Sequence, residues 1–385
     1  FSRSEMGPAR VVAVVALLST LPGSMAFQGS GVVMRNLQTR QGLLSQLALG
    51  ARQPLRSGAG RRPLVLGMGL GFGKQAKQSA PKNGLQVMSR TGPTRTVPDS
   101  IMKPDYAQSG EPKARGMLMP WDIPVNSPED IEGIRKAARA AREVLDIAGA
   151  SVKVGMTTDE IDRVVHEETV KRGGYPSPLN YHGFPKSVCT SINEVVCHGI
   201  PCTAATLKDG DTINVDVTVF LNGYHGDCSE MFTVGEVDEA GKKLIQVTYK
   251  AWQAAISICK PGVEYREIGG VIEAVVAAEG LSTTRNFCGH GVGKVFHTNP
   301  TILHYKNKAN NGVMKAGHVF TIEPMINEGE AQNVMWKDDW TATNRDNKRS
   351  AQFEHTLLIT ETGVVALTGK TSESPTHWWE DPNGF

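Results

Sequence analysis

The chain has 385 residues, 40% of them apolar, and a net charge of +2, which is enough apolar material for one sizeable core and enough length for two domains. That small charge hides an asymmetry: residues 6 to 98 contain Arg and Lys but neither Asp nor Glu, so a basic leader precedes a slightly acidic body and the basicity does not argue for a nucleic-acid partner. No apolar run of roughly 18 residues is present, which excludes an obvious membrane helix, and none of the six cysteines forms a CxxC pair, which argues against a structural zinc module and for reduced thiols.

Residues 11–21 form an apolar stretch preceded by Arg3 and Arg10 and followed by the small residues Ser24-Met25-Ala26. This is the layout of a signal peptide over residues 1–26. Residues 27–98, rich in Arg, Ser, Gln and Gly, read as a disordered, transit-peptide-like segment. The two in tandem, with Ala26-Phe27 at the junction, resemble the bipartite leader of proteins entering complex plastids, with a mitochondrial leader as the alternative. Gly67-Met-Gly-Leu-Gly-Phe-Gly follows no strand and opens no helix, so it reads as flexible linker and not as a dinucleotide loop. Residues 99–124 carry Pro104, Pro112, Pro120 and Pro124 and are expected to be a linker.

Regular structure is expected from Ser127. Ser127-Pro128-Glu129-Asp130 supplies an N-cap, a first-turn proline and two acids at the positive helix end. Ile131, Ile134, Ala138, Ala141, Leu145 and Ala148 then make one apolar face. Thr157-Thr-Asp-Glu160 reads as a capping box for a second helix ending at Gly173-Gly174. A similar unit returns 107 residues later: Lys153-Val-Gly155 and Glu160-Ile161 match Lys260-Pro-Gly262 and Glu267-Ile268, and a helix over 239–259 matches that over 129–150. Two helix–helix–sheet halves follow, hence an α+β core with pseudo-twofold symmetry and a site between the halves.

Residues 211–220 alternate, with Ile213, Val215, Val217 and Val219 on one face and Asn214, Asp216 and Thr218 on the other. Asn222-Gly223 is a two-residue hairpin turn. With those two residues as the turn, Asp216 opposes Ser229 and Asp227 opposes Thr218, so both aspartates share a face as diagonal neighbours. Glu323 and Glu354 fall on strand-like runs over 319–326 and 351–360, with Pro324 placing the first acid at an edge or bulge. His290, between Gly289 and Gly291, reads as part of a flexible turn where backbone approaches ligand closely. Four carboxylates and one imidazole suit a pair of divalent transition ions better than a thiolate zinc site, and such a pair polarises a carbonyl and makes water nucleophilic, as amide hydrolysis requires.

In that order, these five motifs resemble type I methionine aminopeptidase. The resemblance runs from about residue 125 to 369 and includes Pro185-Lys-Ser-Val-Cys189-Thr-Ser-Ile-Asn193-Glu-Val-Val-Cys197-His198-Gly-Ile-Pro201. It implies the "pita-bread" fold in a single catalytic domain over 125–369, with 370–385 as a tail of unassigned role. It implies metal ligation by Asp216, Asp227, His290, Glu323 and Glu354, with two divalent ions drawn from Co, Mn, Fe, Zn or Ni, and Asp227 and Glu354 bridging them. It further implies catalytic roles for His198 beside the scissile amide, His297 on the carbonyl oxygen and Glu323 as proton shuttle. The methionine pocket is then lined by Tyr181, Phe184, Cys189, Phe296 and Trp340, aromatic walls and a thiol that suit a thioether. The implied substrate is the N-terminal methionine of a nascent polypeptide, with transient ribosome association, a monomeric state, and neither sequence-specific nucleic acid nor membrane as partner.

Type II members carry a large insertion in the second half, for which the 33 residues from His290 to Glu323 and the 31 from there to Glu354 leave little room. Nor does any Cys precede Cys189, so the Cys/His-rich extension of the cytosolic eukaryotic type I form is missing and the bacterial or organellar form fits. Cys228 departs from the family, where Thr is usual; a thiol there is expected to touch redox sensitivity or the hydrogen bonds behind the ligands. The rival readings are an Xaa-Pro peptidase of the same fold and a non-catalytic binding module.

Overall fold

The computed structural model describes residues 91–113 and 119–380; the signal-like segment 1–26 and residues 27–90 lie outside the described residues. The first half comprises α1 (Pro128–Ser151), α2 (Thr158–Lys171), β1 (Tyr175–Pro176), β2 (Cys189–Ile192), β3 (Val195–Cys197), β4 (Thr212–Leu221) and β5 (Tyr224–Thr233). The second comprises α3 (Glu239–Ser257), α4 (Arg266–Ala278), β6 (Ser282–Thr283), β7 (Gly289–Gly291), β8 (Thr298–Ile302), β9 (Val319–Ile322), β10 (Met325–Asn327), β11 (Asn333–Met335), β12 (Ala342–Asn344), β13 (Ser350–Gln352), β14 (Glu354–Ile359) and β15 (Val364–Ala366). A nine-stranded sheet runs β1-β4-β5-β14-β9-β7-β8, with β2 added beside β4 and β15 beside β14. Two three-stranded sheets, β13-β10-β6 and β11-β12-β3, flank it.

The helix starts behave as their residues dictate. Ser127 accepts from the Asp130 N–H, and Thr157 and Glu160 cap each other reciprocally. The apolar stripe of α1 is buried from Ile134 onward, while Ile131 is only partly covered. Beneath α1 and α2 lies one core cluster that includes Leu145, Ile161, Val215 and Val217; beneath α3 and α4 lies another with Trp252, Ile268, Phe320 and Phe353. The helices thus cover one sheet face, and the polar positions of β4 are left to the other.

The pseudo-twofold relation is exact in the backbone connections that flank the sheet. The Gly155 N–H donates to Leu207 O at 2.8 Å and the Leu207 N–H to Met156 O at 2.8 Å; 107 positions on, Gly262 donates to Met314 O at 2.9 Å and Met314 to Val263 O at 2.8 Å. The isolated bridges Thr157/Thr206 and Glu264/Val313 repeat the same offset. Gly155 and Gly262 both sit at φ near +90° (84° and 90°), where a side chain would be strained. That shared requirement is what the faint Lys-x-Gly repeat encodes.

Two boundaries differ from the expectation. Residues 91–98, expected to be the disordered end of the leader, and 99–113, expected to be linker, form no helix or strand but dock on the body. Val97 and Tyr106 are buried with Tyr175, Leu179 and Phe220. Prolines forbid a ladder, not burial, and the apolar residues between them find a surface. The tail is also part of the body: Trp379 is 3% exposed, packs at 6.0 Å from Phe353 and stacks on His377 at 4.4 Å, completing the second core.

Candidate active site

Hairpin β4–β5 presents the two aspartates in the expected register: Asp216 opposite Ser229 and Thr218 opposite Asp227, in ten unbroken pairs. Asn222 and Gly223 both have positive φ (51° and 93°), the tight turn that fits the strand twist. Without a bulge, both side chains leave the sheet face opposite the helices. The Asp227 carboxylate accepts from Thr218 Oγ1 at 2.6 Å, and its own N–H donates to Thr356 Oγ1 at 3.0 Å across the strand boundary with β14.

Glu323 and Pro324 fall in the break between β9 and β10, where the chain leaves the large sheet for a small one. Proline terminates the ladder there, and the acid is aimed at the break. The Glu323 carboxylate accepts from Thr321 Oγ1 at 2.8 Å and from Gln352 Nε2 at 3.3 Å. Glu354 opens β14 and pairs with Ser229. By the 107-residue offset Asp216 and Glu323 are equivalent; Asp216 lies opposite Ser229, and Glu323 sits between Ile322, opposite His355, and Met325, opposite Gln352.

His290 corrects the expectation of a flexible turn. It lies inside β7, 6% exposed, between β8 and β9. A Cβ on Gly289 would come within 2.4 Å of Thr321 O and one on Gly291 within 1.9 Å of Asn299 O. The glycines therefore admit neighbouring strands rather than ligand, and they fix the histidine. Its N–H donates to Thr321 Oγ1 at 3.0 Å, and Nε2 lies 3.4 Å from Glu323 Oε1 and 3.7 Å from Asp227 Oδ2.

The ligand atoms of Asp227, His290 and Glu354 lie within 4.8 Å of one another. Burial, then the neighbouring carboxylates, hold Asp216, Glu323 and Glu354 well above the usual carboxylate range; burial also lifts Asp227 to about 7 against the Thr218 hydrogen bond. Burial drops His290 to about 4, which leaves its imidazole neutral and able to ligate. Among the described residues no Lys or Arg pairs with any of the four carboxyls. Crowded, dehydrated acids without a basic partner are costly, and a divalent cation is the counter-charge this donor set suits. Glu230, His377 and Glu380 also approach one another, but there Arg142 and Lys370 supply the positive charge, so that group is an ion-pair network.

The crowding has a measurable consequence. Stripped of divalent ions with EDTA, the protein will lose stability as pH rises, because these carboxyls keep their protons to higher pH when folded than when unfolded. The full stability is present below about pH 4, the unfolded value, and is lost through about 7, the folded value of Asp227. Urea unfolding of metal-free protein at pH 5 and pH 8 checks this; equal or greater stability at pH 8 would contradict it.

Of the remaining expected residues, His297 bonds the Tyr181 hydroxyl through Nδ1 at 2.9 Å, stacks on Phe296 at 4.0 Å and meets the His290 ring at 4.2 Å. His198 stands at φ 56° with its ring edge-on to Phe287 and Trp340 at 5.4 and 6.0 Å. Phe184, Cys189 and Trp340 cluster together with Ile200, and Cys189 sits directly opposite Asp216 on β2. Tyr181 and Phe296 belong to a separate group around His225, next to a cavity of about 210 Å³ that Tyr106, Phe220 and His297 also line. The expected pocket is thus two adjoining aromatic groups.

The sequence model of metallopeptidase family M24 matches residues 132–361. Methionine aminopeptidase 1 of Dictyostelium discoideum is 52% identical over 285 residues, 73% of this chain and 77% of the relative. The chain belongs to the type I methionine aminopeptidases of family M24. Arabidopsis thaliana methionine aminopeptidase 1A is 54% identical over 73% of this aminopeptidase and 71% of its own length. Among solved structures, the Rickettsia prowazekii methionine aminopeptidase superposes with a TM-score of 0.63 at 43% identity, covering 64% of this chain and all of that one. A prolidase from Pyrococcus horikoshii (TM-score 0.52, 22% identity, 65% of each chain) shares the fold alone.

In this aminopeptidase Cys228 does not stand behind the ligands as expected. Its side chain leaves the opposite face of β5 into the first core cluster, 3.9 Å from Val217 O, because adjacent strand residues alternate. All six cysteines are buried free thiols. Sequence reasoning missed Thr218, Thr321 and Gln352, which orient the carboxylates, as well as Ile200 and His225. A hydroxyl two residues before Glu323 and one on the partner strand of Asp227 were the available signals.

Proposed function

We propose that the protein removes the initiator methionine from nascent polypeptides whose second residue is small, using two divalent ions held by Asp216, Asp227, His290, Glu323 and Glu354. The observation that carries the reading is the convergence of four carboxyls and a neutral imidazole without a basic partner, beside the aromatic pocket. When bound, the ions polarise the scissile carbonyl and allow water to attack at neutral pH. Glu323 accepts the proton of that water as general base, its carboxylate held by Thr321 Oγ1 and Gln352 Nε2.

The Tyr181 hydroxyl keeps its proton because burial raises its pKa; when it donates a hydrogen bond to His297 Nδ1, the imidazole N–H is on Nε2 and hydrogen-bonds the substrate carbonyl oxygen. His198, wedged between Phe287 and Trp340, lies alongside the scissile amide. Phe184, Cys189, Ile200 and Trp340 receive the methionine side chain, with Tyr181 and Phe296 closing the adjoining wall. Action on emerging chains implies transient contact with the ribosome, by a monomer. The leader layout supports a plastid location with mitochondrion as the alternative, and the 50% identical "Methionine aminopeptidase 1D, chloroplastic/mitochondrial" of Arabidopsis thaliana is an organellar relative.

Tripeptides varied at the first two positions, supplied with Mn or Co and read by mass spectrometry, test the specificity. Met before Gly, Ala, Ser, Thr, Pro, Val or Cys will be released. Met before Lys will be cut at least about 100-fold more slowly, since a bulky second residue displaces the carbonyl and about an ångström of misplacement costs that much. Efficient release of Leu or Arg, or equal cleavage of Met-Gly and Met-Lys, would return the protein to the broader peptidase fold; a preference for Xaa-Pro would favour the prolidase reading.

A further inference from the structure

Residues 92–111 cross one face of the body as a strap. Its upstream end is held by charge: Arg95 bonds the Asp159 and Asp162 carboxylates, and the buried ammonium of Lys186 bonds Asp159 and donates to Pro93 O at 3.0 Å. His166 Nε2 joins Thr96 O at 3.1 Å. Its downstream end reaches the catalytic groups. Tyr106 is 2% exposed, its hydroxyl donates to Ser177 O at 2.8 Å, and its ring meets Tyr181 edge-on at 5.0 Å.

The turn Tyr181–Gly183, which carries that tyrosine, has an unfavourable backbone. Asn180 at φ 61° and His182 at φ 47° are both left-handed without being glycine, a conformation that persists only where surroundings enforce it. The strap provides the enforcement. Asn180 Nδ2 donates to Ala107 O at 3.0 Å, the His182 N–H donates to Gly110 O at 2.7 Å, and the His182 imidazole lies 3.4 Å from the Glu111 carboxylate. The Tyr181 hydroxyl in turn meets His297 Nδ1. Contacts therefore run unbroken from strap to turn, to Tyr181, to His297.

We propose that the 92–111 strap is a positioning element of the reaction, with Tyr106 and the Asn180–Ala107 bond setting the Tyr181 hydroxyl and, through it, the His297 ring. The inference rests on the reading of His297 as the group facing the substrate carbonyl. In the full chain, saturated with Mn, Tyr106→Ala and Asn180→Gly are assayed on a Met-Ala-Ser peptide. Glycine accepts the left-handed backbone, so Asn180→Gly deletes the tether without adding strain.

The expected result is a fall in kcat of about tenfold or more in both variants. KM should move less than about threefold, with metal content and unfolding midpoint of Asn180→Gly unchanged, and Tyr106→Phe, which keeps the ring, should restore most of kcat. Wild-type kcat in folded Asn180→Gly overturns the proposal, as does a loss that appears only in KM or in metal content. His297→Ala separates the two readings: a large loss there beside intact Asn180→Gly activity rejects the strap alone, and wild-type activity in His297→Ala rejects the reading beneath it.

Discussion

Asp227→Ala and Glu354→Ala will each strip the protein of divalent metal and reduce turnover by more than about 100-fold. Both residues are buried at the seam between the halves, Glu354 opposite Ser229 and Asp227 two residues away on β5, and both reach within 4.8 Å of the His290 ligand atom. Residues that merely orient a ligand typically cost about 10–100-fold in metal affinity or activity when changed, so loss of a residue that would, as proposed, ligate both ions should exceed that range. Metal content by atomic absorption, with the rate on a Met-Ala-Ser peptide, checks the result. Full metal loading with near-normal turnover in either variant would dismantle the two-ion assignment.

Glu323→Gln separates holding metal from moving protons. The amide still offers one oxygen, which can accept from one of the two donors, Thr321 Oγ1 or Gln352 Nε2, that bond the separate oxygens of the Glu323 carboxylate at 2.8 and 3.3 Å. The side chain thus keeps one anchor, and part of the metal will remain. It cannot take a proton from the attacking water, and general base help is worth about 10²–10⁴-fold. Most of the rate should vanish while the protein stays folded and partly loaded. A loss under about tenfold would show that another group carries the proton.

How much of this was legible in the sequence differs from element to element, for physical reasons. The β4–β5 register followed from Asn222-Gly223 because a two-residue turn leaves no freedom in pairing. The break at Pro324 was legible because proline cannot donate to a ladder. The two helix starts followed from capping chemistry at Ser127 and Thr157. His290 was misplaced because glycines on either side signal conformational freedom only when nothing crowds them, and the crowding by Thr321 O and Asn299 O is tertiary. The docking of residues 91–113 was hidden for a similar reason: Val97 and Tyr106 are spaced with no periodicity, and their partners Tyr175 and Phe220 come from elsewhere in the chain. Cys228 was read from its neighbour Asp227, although strand alternation alone sends it the other way.

The sheet's central ladder is short. β5 and β14 meet through only two residue pairs, Glu354/Ser229 and His355/Cys228, whereas β4 and β5 share ten. A few side-chain bonds supplement that seam, among them Thr356 Oγ1 with the Asp227 backbone and Asn214 Nδ2 with Gln352 O. The proposed metal ligands straddle it, Asp216 and Asp227 from one half, His290, Glu323 and Glu354 from the other. Ions held by all five, as proposed, would act as a cross-link across a seam of only two ladder pairs. Because a ligand that binds only the assembled state stabilises it by mass action, metal held by that proposed set would favour the halves melting as one unit. On that proposed ligand set, cooperativity of the whole fold and the capacity to cut a peptide bond would be linked through the same bound ions.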